Sequence, residues 1–407
     1  MNTKNKLFLA LAVMIMSQPL FSQVQENNNP EKEPNKKLEL KPYGFIKGDL
    51  FYGTAGVTSF GIASLAAPQV ATGVDQSAIG FTAQHTRLGL KASIGDNIKA
   101  SGLVEIDFFT NAFDANAKPR IRLAYASVAK GGFEARFGQQ WDLFSPNNAN
   151  TNNTNGNMWF AGNKGFRRAQ IQLSYKLQND FITPMIQLSL GETSREEAGL
   201  GKDNFSGVPM LQGRLSGTIK GKYIVGVSYV YGQYLEKAGT VIVPDTLQKD
   251  FTFSTSGIGF DFILPIHKYF SLLGEVNSGT NLNNANLFSV ANNHYWSNDE
   301  NENIVEFDKK SLGFWFNATS KITDWFIVTI GYGMDMNNSD TYKKNDIDNN
   351  TSIYGNLTFP IKHGFSIALE FQNINTTVVT ATDINNKISE RQNNMANIIS
   401  LSGKINF

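Results

Sequence analysis

From Pro42 to Phe407 the chain alternates polar and apolar residues in about sixteen stretches, joined in turn by very short and very long connections. The closing stretch is explicit. Ile399, Leu401, Gly403, Ile405 and Phe407 share one face, and Ser400, Ser402, Lys404 and Asn406 share the other. A period of two is that of a β-strand, whose side chains point to opposite faces in turn. A globular sheet would hide its apolar face in a core, but here the pattern recurs along the whole chain. The apolar face is therefore expected to meet lipid, and the fold class is all-β, a transmembrane antiparallel up-and-down β-barrel of about sixteen strands.

The expected strands are 43–52, 80–94, 98–108, 120–129, 133–140, 166–177, 181–191, 210–220, 223–234, 251–264, 269–278, 310–321, 325–335, 351–359, 365–379 and 395–407. Connections such as Gly95-Asp96-Asn97, Lys130-Gly131-Gly132 and Lys362-His363-Gly364 carry the residues that tight turns require. Those beginning at Gly53, Phe109, Trp141, Glu192, Leu235, Gly279, Met336 and Thr380 are long and polar. In outer-membrane barrels short turns face the periplasm and long loops face outside. Two loops stand apart. Residues 146–157 read PNNANTNNTNGN, too polar to bury themselves, and are flanked by Trp141, Leu143, Phe144, Trp159 and Phe160. An inward loop over 141–164 that narrows the barrel is expected in preference to a flexible external one. Residues 281–307, rich in Asp and Glu, read as a solvated external surface.

Upstream, Lys4 and Lys6 precede an apolar run over 7–16 that is too short to span a bilayer, so residues 1–22 are expected to be a secretory signal peptide. Residues 23–41, polar and interrupted by Pro30 and Pro34, are expected to be a disordered periplasmic tether, with the barrel over 42–407. Only then does composition add anything. The 407 residues include 36 glycines, 30 phenylalanines and no cysteine, which excludes disulfides and thiolate metal sites. Removing Lys4 and Lys6 takes the formal net charge from +1 to −1, so partners must be read from where charges sit.

Alternation assigns the charges to the lumen. Arg87 and Lys91 oppose Leu88, Leu90 and Ala92; Glu105 and Asp107 oppose Val104 and Ile106; Arg120 and Arg122 oppose Ile121, Leu123 and Tyr125; Glu134 and Arg136 oppose Phe133 and Phe137. Lys47, Asp49, Arg168 and Arg214 complete an arginine-rich wall, expected to line a pore and to favour anions such as carboxylates held by two donors. The plainer reading is that these charges merely pair with one another. Aromatics at strand ends, Tyr43, Tyr52, Phe108, Phe109, Tyr175, Phe181, Tyr223, Tyr269, Trp325 and Phe359, fit interfacial girdles.

The segments Gly44-Phe45-Ile46-Lys47-Gly48-Asp49, Thr86-Arg87-Leu88-Gly89-Leu90-Lys91, Glu105-Ile106-Asp107-Phe108-Phe109, Arg120-Ile121-Arg122-Leu123-Ala124-Tyr125 and 137–144 resemble the DcaP-like trimeric outer-membrane porins over the first third of the chain. The resemblance implies a homotrimer of sixteen-stranded channels for small anionic solutes such as dicarboxylates, with Arg87, Arg120, Arg122 and Arg136 lining the channel. It departs from that family in its short, proline-broken tether, which leaves trimerisation to barrel contacts.

An enzyme built on a barrel, of phospholipase or protease type, needs a base beside a nucleophile. Of His85, His267, His294 and His363, only His85 falls within an expected strand, and no nucleophile motif accompanies it. An energy-coupled importer lacks its plug domain, and a surface-binding role for the loops stays open. The expectation is a non-enzymatic outer-membrane porin in contact with lipid and small anions, without nucleic-acid partners, metal or organic cofactor.

Overall fold

In the computed structural model, residues 37–61, 64–68, 76–109, 117–155, 158–193, 207–239, 241–242, 245–247, 249–292, 294–298 and 304–407 are described. The leader over 1–22 and the tether up to residue 36 lie outside the described residues. Sixteen strands make one sheet: β1 (Glu39–Gly53), β2 in two runs (Ala78–Thr82 and Arg87–Ile94), β3 (Ile98–Asp107), β4 (Arg120–Lys130), β5 (Phe133–Trp141), β6 (Arg167–Lys176), β7 (Ile182–Gly191) and β8 (Met210–Ile219). They continue as β9 (Tyr223–Glu236), β10 (Phe251–His267), β11 (Phe270–Thr280), β12 (Lys310–Thr323), β13 (Phe326–Asn337), β14 (Ile347–Pro360), β15 (Phe365–Thr382) and β16 (Ile388–Asn406). Each strand pairs antiparallel with the next, and β16 returns to β1, with Phe45 opposite Asn406 and Gly53 opposite Ile398. The sheet closes into a cylinder, the way a sheet satisfies its backbone in hydrocarbon.

Leu88, Leu90, Ile121, Leu401 and Ile405 are exposed on the outer face, whereas Lys47, Asp49, Glu105, Asp107 and Arg122 are buried inside. The interior is thus polar and the exterior apolar, the inverse of a soluble protein and the signature of a membrane-spanning barrel. Phe133, Tyr175, Phe181, Tyr269, Trp325 and Phe407 stand exposed outside at the short-turn end, where a girdle is expected.

Several expectations are corrected. β1 begins at Glu39, so the strand takes in residues assigned to the tether; Glu39 and Lys41 pair with Ser93 and Lys91 of β2. β16 begins at Ile388, because its polar segment ahead of Met395 pairs with β15 beyond the stretch that lipid forces to alternate. β2 breaks over 83–86, and His85 sits in that break rather than within a strand. The register also shifts between Glu105 and Ile106, where β4 carries an extra residue between Ile121 and Leu123. This bulge turns Leu123 and Tyr125 to the inner face, where the Arg136 guanidinium lies 5.3 Å from the Tyr125 ring. Tyr43 and Phe109 leave the girdle as well. Tyr43 donates its hydroxyl to Glu105 at 3.2 Å, and Phe109 is buried beside His85 with ring centroids 5.8 Å apart.

Toward the long-loop end the lumen is not uniformly polar. Phe51, Ile374, Ala396 and Ile398 point inward and pack on Ala66 of the β1–β2 loop. Met210, Val230 and Phe144 form another buried cluster with Leu282, Ala285 and Leu287, around a short 3-10 turn at Leu282–Ala285. Loops folded into the mouth give these inward apolar side chains a dry partner.

Ile330 of β13 is among the most exposed outward side chains. Ile330→Lys is expected to cost about 2–4 kcal/mol if the residue lies near the bilayer midplane, falling toward zero nearer an interface. Urea unfolding of the barrel refolded in phospholipid vesicles measures this cost.

Candidate functional site

The charged residues of the first six strands form separate groups. In the densest, Asp107 accepts Arg120 Nε at 2.9 Å, Arg120 Nη2 at 2.7 Å and Arg122 Nη1 at 2.8 Å. Glu105 accepts Arg122 Nε at 2.8 Å and faces Arg87 Nε at 3.6 Å. Three guanidiniums therefore meet two carboxylates. Arg122 and Asp107 are almost fully buried, while the Arg120 side chain keeps 33% and that of Arg87 20% of its surface open. In a second group Asp49 is hydrogen-bonded by Lys47 and lies 2.9 Å from His85 Nδ1. Lower on the wall Glu134 and Arg136 pair through two bonds of 3.0 and 2.9 Å and stay about one-third exposed.

The remaining expected residues lie elsewhere. Arg168 pairs with Asp142 at 2.6 and 3.0 Å and also donates to the carbonyls of Glu192 and Ala285. Arg214 pairs with Asp261 at 3.0 and 2.6 Å. Lys91 is exposed, opposite Lys41 and Leu103, and joins none of these groups. The Arg168–Asp142 and Arg214–Asp261 pairs are both buried.

The segment after β5 turns into the barrel and is fastened around its inner wall. Gln212 of β8 accepts the amides of Leu143 and Phe144 at 2.9 and 3.0 Å. Glu275 of β11 accepts Ser145 Oγ, Asn147 N at 2.7 Å, Asn163 Nδ2 at 3.2 Å and Trp315 Nε1 at 2.9 Å. Glu370 of β15 accepts Asn152 N at 2.6 Å, and the Asn152 amide bonds Ser400 and Ser402 of β16 at 2.9 and 2.7 Å. Asn155 Oδ1 then accepts Arg120 and Arg122 at 3.2 and 3.0 Å, which brings the segment back to the arginine wall. Lys164 is anchored by Asp335 of β13 at 2.5 Å. Gly162, with φ +98°, lies flush on β12: a Cβ there would come within 2.2 Å of the Phe314 carbonyl oxygen.

Within the asparagine tract Asn152, Asn153 and Asn155 are buried through partners on the wall and the β1–β2 loop: Asn152 bonds Ser400 and Ser402, Asn153 Nδ2 donates to the carbonyls of Phe60 and Gly61, and Asn155 Oδ1 accepts the two arginines, while Asn150 stays exposed. Alternation had drawn attention to the first half only. The inward carboxylates Asp261, Glu275, Asp335 and Glu370 carry the same signal, each a lone acid between apolar or glycine neighbours in a strand.

No family model matches the chain, and no curated protein matches it by sequence. Solved structures do. The outer membrane channel DcaP of Acinetobacter baumannii superposes with a TM-score of 0.69 at 17% identity, covering 91% of this chain and 97% of that one. An anion-selective porin from Comamonas acidovorans gives 0.56 at 11% identity, covering 91% of this chain and all of the other. OmpT, an outer membrane protein of Vibrio cholerae, in its trimer form gives 0.55 at 14% identity, with 91% and 99% covered. The fold of this chain is that of the outer-membrane porins, the DcaP channel among them.

Asp142→Ala leaves the Arg168 guanidinium buried without its carboxylate, a change expected to cost about 3–5 kcal/mol. The loss should appear as a lower unfolding midpoint in urea, together with faster proteolysis within residues 143–165.

Proposed function

We propose that the protein is a passive diffusion channel of the bacterial outer membrane for small hydrophilic solutes, with a modest preference for anions such as dicarboxylates. The observation that carries this reading is the surplus on the wall of β2–β4, where among the described residues Arg87, Arg120 and Arg122 share the two carboxylates Glu105 and Asp107 and where Arg120 keeps a third of its surface open. A partly open guanidinium surplus raises the local concentration of anions and offers a carboxylate two parallel donors. Arg136 adds a partly open cation lower down, tempered by Glu134. Lys47, Asp49, Arg168 and Arg214 serve as struts of the wall in this reading, and Lys91 as an outlying charge.

The segment over 141–164 acts as the constriction, and residues 1–22 as a signal peptide removed on export. A homotrimer built on contacts between barrels fits the same reading. The protein is not an enzyme in this account. His85 is committed to Asp49 through Nδ1, Phe51 and Phe109 flank its ring, and its Nε2 has no hydrogen-bond partner among the described residues.

Reversal potentials in planar bilayers under a salt gradient test the selectivity. The wild-type channel is expected to favour chloride over potassium, and the double variant R120Q/R136Q to move the permeability ratio toward unity or below it. A cation-biased potential that the variant leaves unmoved would remove the anion preference. Gly162→Val tests the constriction: a side chain that cannot fit against Phe314 should displace the segment and raise single-channel conductance while the barrel stays folded.

A further inference from the structure

The β4–β5 seam is open at the long-loop end. Its ladder stops at Ala124 opposite Gln139, although β4 continues to Arg120 along β3 and β5 continues to Trp141 along β6. Gln139 partly fills the gap, donating its side-chain amide to the carbonyls of Ile121 and Arg122 at 3.0 Å each. Beside the gap lies a cavity of about 500 Å³ whose lining includes Arg120, Gln139, Phe166, Arg167, Glu192 and Asn286. Ile121, which also lines it, is 55% exposed on the outer face of the barrel.

Arg167 is the anomaly of this cavity. It is 4% exposed, yet its Nε and Nη1 donate to nothing, and no carboxylate among the described residues lies within ion-pair distance of it. Its guanidinium lies 4.4 Å from the Phe166 ring and 5.2 Å from the Trp141 ring. Ring faces offset part of a cation's desolvation but take none of its in-plane N–H bonds. The charges acting on it most strongly are Arg122 and Arg120, ahead of Asp107 and Arg87. Arg87, Arg120 and Arg122 already share Glu105 and Asp107, so Arg167 enlarges a positive surplus that remains even when Glu192 is counted. Arg168, alongside, is already neutralised by Asp142. A buried, unpaired guanidinium in a positive neighbourhood is costly unless an anion completes it.

We propose that this open seam is an oxyanion site, in which Arg167, supported by Arg120, holds a phosphate group through charge-assisted hydrogen bonds. The group arrives either as free phosphate or as the headgroup of an outer-leaflet glycolipid. The second source suits the place: the cavity opens beside Ile121, and exposed Phe137 lies further down the same outer face, so acyl chains have an apolar surface below a headgroup bound at the seam. The site does not depend on conduction, and it stands or falls apart from the channel reading.

The full-length barrel, refolded in detergent, is titrated with inorganic phosphate in one arm. In the other it is titrated with mixed micelles of phosphorylated lipid A or its dephosphorylated counterpart, retention being read by native mass spectrometry. Losing one charge-assisted pair of bonds weakens binding by about tenfold or more. Arg167→Gln should show that loss, and Arg167→Lys should recover part of it. Ala169→Trp, which crowds the cavity from its exposed wall, should weaken binding with all arginines in place. Heat-modified electrophoretic mobility confirms that each variant is folded. Binding of phosphate alone assigns the site to a free anion, and selective retention of phosphorylated lipid A assigns it to the headgroup. Equal affinity of wild type and Arg167→Gln, equal retention of dephosphorylated lipid A, or no binding of either probe to the folded wild type would overturn the proposal.

Discussion

Hydrocarbon offers a backbone no hydrogen-bond partner, and the rest of this structure follows from that single restriction. It requires β16 to close on β1, and it leaves each strand with one face toward lipid and one toward the lumen. At two interruptions of the ladder a side chain stands in for the missing backbone partner. Where β2 breaks, the Thr86 hydroxyl accepts from the amide of Lys47 at 3.1 Å. Where β4 and β5 part, the Gln139 amide covers two carbonyls.

A charge barred from lipid must be solvated or neutralised inside, and here most are neutralised by a partner fixed in register. Buried ion pairs add little net stability, since desolvation offsets their attraction, but a wrong partner is severely penalised. That penalty gives the pairs their use as locators. Asp142 sits where Arg168 can reach it, and Lys164 where Asp335 can, so the two ends of the inward segment are pinned while its middle is held by neutral amides. Arg87 and Arg120 keep open surface where Arg122 keeps almost none, although all three were read alike from the chain.

Period-two alternation was legible because it is strictly local, and it located most strands of the barrel to within a few residues, the early start of β16 and the break in β2 excepted. What it could not convey depends on two strands at once. The extra residue between Ile121 and Leu123 shows only against Glu105 and Ile106 of β3, so Leu123 and Tyr125 seemed to face lipid. Likewise Arg167 falls on the outward side by parity with Arg168, and only the parting of β4 from β5 explains how it comes to be buried near Arg122. Phe109 and Tyr43 read as girdle residues because an aromatic at a strand end carries no mark of whether its partner is a lipid or a buried histidine or carboxylate.

The inward segment also settles which part of the wall shows its charge. Asp261, Glu275, Asp335 and Glu370 project inward from β10, β11, β13 and β15, so a bare barrel would set an acidic side against the arginine side. Asp261 is taken by Arg214 and Asp335 by Lys164, while Glu275 and Glu370 are capped by hydroxyl, amide and indole donors of the segment and its neighbours. The tract's own bonds to these acids come from the backbone amides of Asn147 and Asn152, which satisfy a carboxylate without bringing a countercharge. Among the described residues, the same tract reaches Arg120 and Arg122 through the single oxygen of Asn155, and their carboxylate partners take most of the other donors. The inward segment therefore caps acids on β11, β13 and β15 and meets the arginines through Asp142 on Arg168 and Asn155 on Arg120 and Arg122.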